Sequence, residues 1–110
     1  MIKRFVILRR KPGMTVKEFS NYWKGVHGPL IAKIPGLRRY IQYHVHSEIS
    51  DDKEAPIDGI AELWFDSKDA QRIAYKSKEY KAVVKDEPNL FEMNSKHVHP
   101  VMTDQIVEIV

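Results

Sequence analysis

Apolar positions change their spacing several times along this chain, and each change marks an element. Ile2-Lys3-Arg4-Phe5-Val6-Ile7-Leu8-Arg9 is dense in β-branched and aromatic residues, which predicts a strand buried largely on both faces. Lys11-Pro12-Gly13 ends it with turn chemistry. Thr15-Val16-Lys17-Glu18 then has the pattern of a capping box, so a helix starts at Thr15. Val16, Phe19, Trp23, Val26 and Leu30 recur along it at the spacing of one buried face. His27 follows Trp23 by four residues and shares that stripe. Gly28-Pro29 stops or redirects the chain, with a short further turn through Ile31-Ala32 that Pro35-Gly36 closes.

The period then shortens to two. From Leu37 to His46, Ile41, Tyr43 and Val45 fall on one face and Tyr40, Gln42, His44 and His46 on the other. Ser47–Pro56 is acidic and polar without a period, and reads as a loop. Asp58–Phe65 is the next strand, with Gly59, Ala61, Leu63 and Phe65 on one face and Asp58, Ile60, Glu62 and Trp64 on the other. Small Gly59 and Ala61 would let a helix approach closely. Ser67 caps a second helix with Ala70, Ile73 and Ala74 inward; it breaks near Ser77, resumes through Tyr80, Val83 and Val84, and ends before Pro88. Leu90 and Phe91 return to the core, Lys96–Met102 forms a last strand, and Val101–Val110 a terminal segment.

Strand, helix, strand, strand, helix, strand is the ferredoxin-like βαββαβ order. It is an α+β fold with two helices on one face of a four-stranded antiparallel sheet. Residues 1–110 are read as one domain. The uncovered sheet face carries apolar side chains, and a second copy is the simplest cover, so a homodimer through that face is expected.

Composition closes off several classes. The chain has 110 residues, 43% hydrophobic and 30% charged, with a formal net charge of +3. Its basic clusters, Arg9-Arg10-Lys11 and Arg38-Arg39, read as solvated faces and strand ends, so no nucleic-acid partner is expected. There is no cysteine, hence neither disulfide nor thiol chemistry. No signal-peptide pattern and no membrane-length apolar run appear, so a soluble cytoplasmic protein with no membrane partner is expected.

His27 is the first chemical candidate, a titratable ring at the end of an apolar stripe; the plainer reading is a helix-end histidine satisfying a carbonyl. Tyr40 begins the following strand after a short connection. If both face the space between helix and sheet, they form an acid/base pair with ordinary pKa values of ~6.5 and ~10. Asp58 and Glu62 stand ~13 Å apart along their strand, too far for a carboxylate dyad. For Asp58 a cross-strand ion pair is the simpler account. His44-x-His46 and His97-x-His99 each put two imidazoles on one strand face, without a third ligand at a recognisable spacing, so no metal is expected. Phosphate loops, dinucleotide fingerprints and serine-hydrolase elbows are absent from the sequence.

Met14-Thr15-Val16-Lys17-Glu18-Phe19, Tyr22-Trp23, Val26-His27-Gly28-Pro29-Leu30, Pro35-Gly36-Leu37-Arg38-Arg39-Tyr40, Asp58–Phe65 and Asp86-Glu87-Pro88-Asn89-Leu90-Phe91 together resemble the EthD-like family. The resemblance covers nearly the whole chain and implies a dimeric α+β barrel. That family includes a protein associated with ethyl tert-butyl ether degradation, methylmuconolactone methylisomerase, and fungal polyketide-tailoring dehydratases or decarboxylases. Those enzymes work without a cofactor on small cyclic or aromatic carbonyl compounds. The resemblance implies a catalytic histidine and tyrosine at His27 and Tyr40. Cysteine also lines that isomerase's site, and this chain has none.

The expectation is a cofactor-independent enzyme doing proton-transfer chemistry of isomerase or lyase type on a small-molecule ligand. His27 would be the base and Tyr40 the acid or oxyanion donor. Gln42, His44 and Glu62 would orient the substrate, and Trp23 and Trp64 would wall the site. The alternatives are a non-catalytic protein that binds an apolar catabolic intermediate, and a haem-binding or monooxygenase-like barrel.

Overall fold

The computed structural model describes residues 1–45, 48–50, 53–54, 56–93 and 99–110. Four strands form an antiparallel sheet in the order β2-β5-β1-β6: β1 (Ile2–Leu8), β2 (Arg39–His44), β5 (Gly59–Phe65) and β6 (His99–Thr103). Between β2 and β5, where a loop was expected, β3 (Glu48–Ser50) and β4 (Lys53–Glu54) make a short two-stranded ladder. Backbone pairing can form there without an apolar period. The expected final strand began at Lys96, but residues 96–98 lie outside the described residues. The chain from Asp104 onward has no regular structure and is exposed.

Register fixes which side chains share a face. Ile2 pairs with Phe65, Arg4 with Leu63, Val6 with Ala61 and Leu8 with Gly59. Tyr40, Gln42 and His44 pair with Leu63, Ala61 and Gly59. Partners in a ladder point the same way, so all of these belong to one face. Trp23 packs against Gly59 and the Tyr75 hydroxyl meets Arg4, so both helical layers cover that face. Its opposite carries Phe5, Ile7, Ile41, Tyr43, Ile60, Glu62, Trp64 and Val101. The expectation of β1 buried on both sides therefore holds only in part: Ile2 and Leu8 are buried, whereas Phe5 and Ile7 remain partly open.

The first helical layer runs unbroken from Val16 to Ala32. It comprises α1 (Val16–Tyr22), a π-helical segment (Trp23–His27) and α2 (Gly28–Ala32). The capping box is present: Glu18 N–H donates to Thr15 Oγ1 at 3.1 Å and Thr15 N–H to Glu18 Oε1 at 2.9 Å. Gly28 and Pro29 do not stop the chain. Pro29 has no N–H for the Gly25 carbonyl, and in α geometry its ring would collide with that group; the wider π turn accommodates it. The extra residue also rotates the stripe. Phe19, Trp23, His27 and Ile31 are buried at four-residue steps, while Val26, expected inward, is 47% exposed.

The second layer is α3 (Lys68–Ala74) and α4 (Lys78–Asp86), capped by Ser67 and Ser77. Ala74 and Val83 are its buried positions; Ile73 and Val84, expected inward, face solvent because each short helix presents only a narrow inward edge. A 3₁₀ turn, Glu87–Asn89, then delivers Leu90 and Phe91 into the core as expected. Lys11 N–H bonds the Leu90 carbonyl at 2.8 Å and Glu92 N–H the Arg9 carbonyl at 2.9 Å, which fixes the end of α4 beside the first layer.

Gly59 is where the layers come closest. A Cβ there would lie 2.5 Å from Trp23 Cζ3 and 2.7 Å from Cη2, both in a ring that is fully buried. Gly59→Ala should therefore lower stability by about 1–3 kcal/mol, the usual cost of overpacking, readable as a shift in urea midpoint with an unchanged m-value.

Candidate functional site

The π segment turns His27 inward to 1% exposure, beneath the edge of Phe91 at 5.2 Å between ring centroids. Its Nδ1 lies 2.8 Å from Asp86 Oδ2 at the last position of α4. The other Asp86 oxygen accepts from the Tyr22 hydroxyl at 2.6 Å and from Asn89 Nδ2 at 3.0 Å. Burial pushes the Asp86 carboxyl upward, but these three hydrogen bonds and the His27 ring outweigh it and hold the group below its ordinary value. An ionised Asp86 can only accept, so His27 must donate from Nδ1. Nε2 then carries the lone pair, and among the described residues it makes no hydrogen bond. Burial lowers the His27 pKa below 6.5 against the upward pull of Asp86, so the ring is neutral at neutral pH. This is the arrangement of a general base with an orienting carboxylate.

His27 borders a cavity of about 60 Å³ between the helices and the sheet. Its apolar wall includes Val6, Leu8, Trp23, Ala61, Leu63 and Phe91, and its polar wall is Arg4, Tyr75, Tyr80 and Glu87.

The other expected residues divide between the two faces of the sheet. Tyr40, Gln42, His44 and Trp23 lie on the cavity side and are joined in a chain. Gln42 Nε2 donates to the Tyr40 hydroxyl at 2.7 Å and to the Trp23 carbonyl at 2.9 Å. That carbonyl also takes the Gly28 N–H of the π turn. Gln42 Oε1 is 2.8 Å from His44 Nε2, and His44 Nδ1 is 2.6 Å from Ser20 Oγ, which assigns the His44 proton to Nε2. Burial pushes the Tyr40 hydroxyl up to about 12, against the Gln42 amide and the Trp23 indole. Tyr40 is thus a proton donor at any working pH, although it is not among the residues bordering the cavity.

Glu62 and Trp64 lie on the opposite face and do not share the His27 space. There Glu62 accepts from Trp64 Nε1 at 2.5 Å and from the Tyr43 hydroxyl at 2.8 Å. Burial raises the Glu62 carboxyl, but those bonds, with Lys3 and Arg39 nearby, hold it ionised below its ordinary range. Asp58 forms the expected ion pair, with Arg10 Nη1 at 2.5 Å. Of the two histidine pairs, His46 and His97 lie outside the described residues.

Sequence reasoning missed Asp86, although the Asp86–Phe91 run stood out, and it missed Arg4. Arg4 has the same parity as Ile2, Val6 and Leu8, and a cation at a buried-face position was the available signal.

A model of the EthD domain matches residues 11–94. The chain belongs to the EthD family. Its fold is similar to that of an EthD family protein from Bacillus halodurans (TM-score 0.73, 21% identity, covering 96% of this chain and 100% of that one). It is also similar to a dimeric protein of unknown function with a ferredoxin-like fold from Bacteroides fragilis (0.65, 18%, 94% and 95%). SnoaB, a cofactor-independent oxygenase from Streptomyces nogalater, shares the fold as well (0.64, 14%, 98% and 96%). No curated protein matches. Among the described residues of this EthD chain no helix is long and apolar enough to cross a membrane, and no three His, Cys, Asp or Glu side chains cluster as a metal site.

The Asp86–His27 pair makes folding pH-dependent. Between the lowered His27 pKa and 6.5, the unfolded chain binds more protons than the folded one, so stability rises with pH through that window. Asp86 adds a second window below 3.8, where the unfolded carboxyl protonates first. Urea midpoints should therefore be highest above pH 6.5 and fall in two stages on acidification. A profile flat from pH 7 to 5 would contradict the buried neutral histidine.

Proposed function

We propose that this EthD protein is a small-molecule enzyme whose chemistry is a proton transfer at carbon, of isomerase or lyase type, next to a carbonyl. The observation that carries this reading is the His27 ring, neutral, fixed by Asp86 through Nδ1 and bordering the cavity between the helices and the sheet. Nε2 takes the proton and returns it, and Asp86 stabilises the imidazolium formed between. Tyr40, expected as the acid, lies outside the cavity in a hydrogen-bonded chain with Gln42 and His44, and is assigned the support of the Trp23 wall rather than contact with substrate. Trp23 supplies apolar wall. No oxidant enters this scheme.

The opposite face of the sheet, with Phe5, Ile7, Ile41, Ile60 and half-exposed Tyr43 and Val101, is proposed to pair with the same face of a second copy. The dimeric description of the Bacteroides fragilis protein supports this. On that reading Glu62 and Trp64 belong to the dimer interface rather than to the substrate.

Solvent exchange tests the chemistry without a known product. In deuterium oxide, wild-type protein should speed deuterium uptake next to the carbonyl of a member of a panel of carbonyl compounds small enough for this cavity. His27→Ala should lose about 10²–10⁴-fold of that rate. Equal rates in the two proteins would overturn the role of His27.

A further inference from the structure

Arg4 is the feature of the cavity that proton transfer alone does not use. It stands on β1 at a helix-facing position, and its guanidinium donates to the Tyr75 hydroxyl and sits 4.9 Å from the centre of that ring. Tyr75 in turn stacks on Tyr80 at 4.0 Å with only 11° between planes. Two phenols are therefore its neighbours. Among the described residues no carboxylate lies within 4.0 Å of the guanidinium, whereas Arg10, His27, Arg38 and Arg72 each have one that close. Glu87 also borders the cavity and acts on Arg4 only over a longer distance. A partly buried cation without a contact counter-ion is costly, and an incoming anion removes that cost. Arg4 and His27 thus border one space.

We propose that Arg4 anchors an anionic oxygen pair of the ligand, so that the substrate class is a small monocarboxylate whose reacting carbon lies towards His27. This rests on the cavity being the substrate site. A planar guanidinium matches a carboxylate at two points, which a neutral ketone cannot exploit. The volume sets the scale: about 150 Å³ suffices for benzene, so about 60 Å³ admits an acid no larger than acetate.

The test is calorimetric titration of the full chain with acetate and with its neutral isostere acetamide. Wild type should prefer acetate by about tenfold or more, the worth of one charge-assisted hydrogen bond pair. Arg4→Met should abolish the preference, and Arg4→Lys, which keeps charge but not the fork, should retain part of it; thermal melts confirm that each variant folds. Equal affinity for the two probes in wild type, no binding of acetate, or a preference that survives Arg4→Met would overturn the proposal. Binding is read without turnover. Loss of the preference thus removes the anchor and leaves the His27 base standing, whereas exchange unaffected by His27→Ala removes the base and leaves the anchor.

Discussion

Trp23→Ala should lower the stability of this EthD domain by about 3–5 kcal/mol, a large share of the ~5–15 kcal/mol that holds a domain of this size. The indole is fully buried, tilted against Phe19 at 5.4 Å and against His44 at 4.6 Å, and its far edge fills the space that Gly59 leaves. Neighbours on a helix and two strands cannot all collapse into the hole, which places the cost in the upper part of the usual range. The backbone of the π turn is not altered by the change, since Trp23 contributes its carbonyl to Gly28 and Gln42 whatever its side chain. Urea denaturation at pH 7 measures the loss. A change under about 1 kcal/mol would mean that the layers do not meet as described.

Asp86→Asn should leave the fold in place and reduce turnover by about 10²–10⁴-fold. The side chain keeps its shape and can still meet Tyr22 and Asn89. It loses the charge that makes Nδ1–H the obligatory tautomer of His27, and with it the stabilisation of the imidazolium. An amide can present its NH₂ to the ring, which would put the proton on Nε2 and leave no base at the cavity. The loss should fall on kcat rather than on probe affinity, because Asp86 does not border the cavity. Tyr22→Phe, which removes one of three donors to the carboxylate, should give a smaller loss in the same direction.

The fold was largely legible because strand parity and capping residues are local signals. Alternation in Tyr40–His44 and Gly59–Phe65 placed the right side chains on the right faces. The same parity that sets Gly59 and Ala61 under a helix also sets Glu62 and Trp64 on the far side, so their separation from His27 was implicit in the pattern. The π segment was not legible. A regular stripe carries Val26 inward, and only the continuity of the helix through Pro29 reveals the extra residue that turns His27 in its place. Asp86 was invisible as a partner for a different reason: no periodicity relates the end of α4 to the π turn, and several carboxylates were equally available until the backbone of Leu90–Glu92 was seen to pair with Arg9–Lys11. Arg4 was overlooked because a basic residue in a strand is ordinarily a solvated one, and only the cavity shows otherwise.

The central claim is the protonation state of one ring. Long-range ¹H–¹⁵N correlation spectra of uniformly labelled protein, with His27→Gln to assign the signal, report it directly. At pH 7 the His27 ring should be neutral and protonated on Nδ1, with a titration midpoint below 6.5 that falls further when Asp86 is replaced by Asn. A ring protonated on Nε2, or doubly protonated at pH 7, would contradict it, because neither presents a lone pair to the cavity.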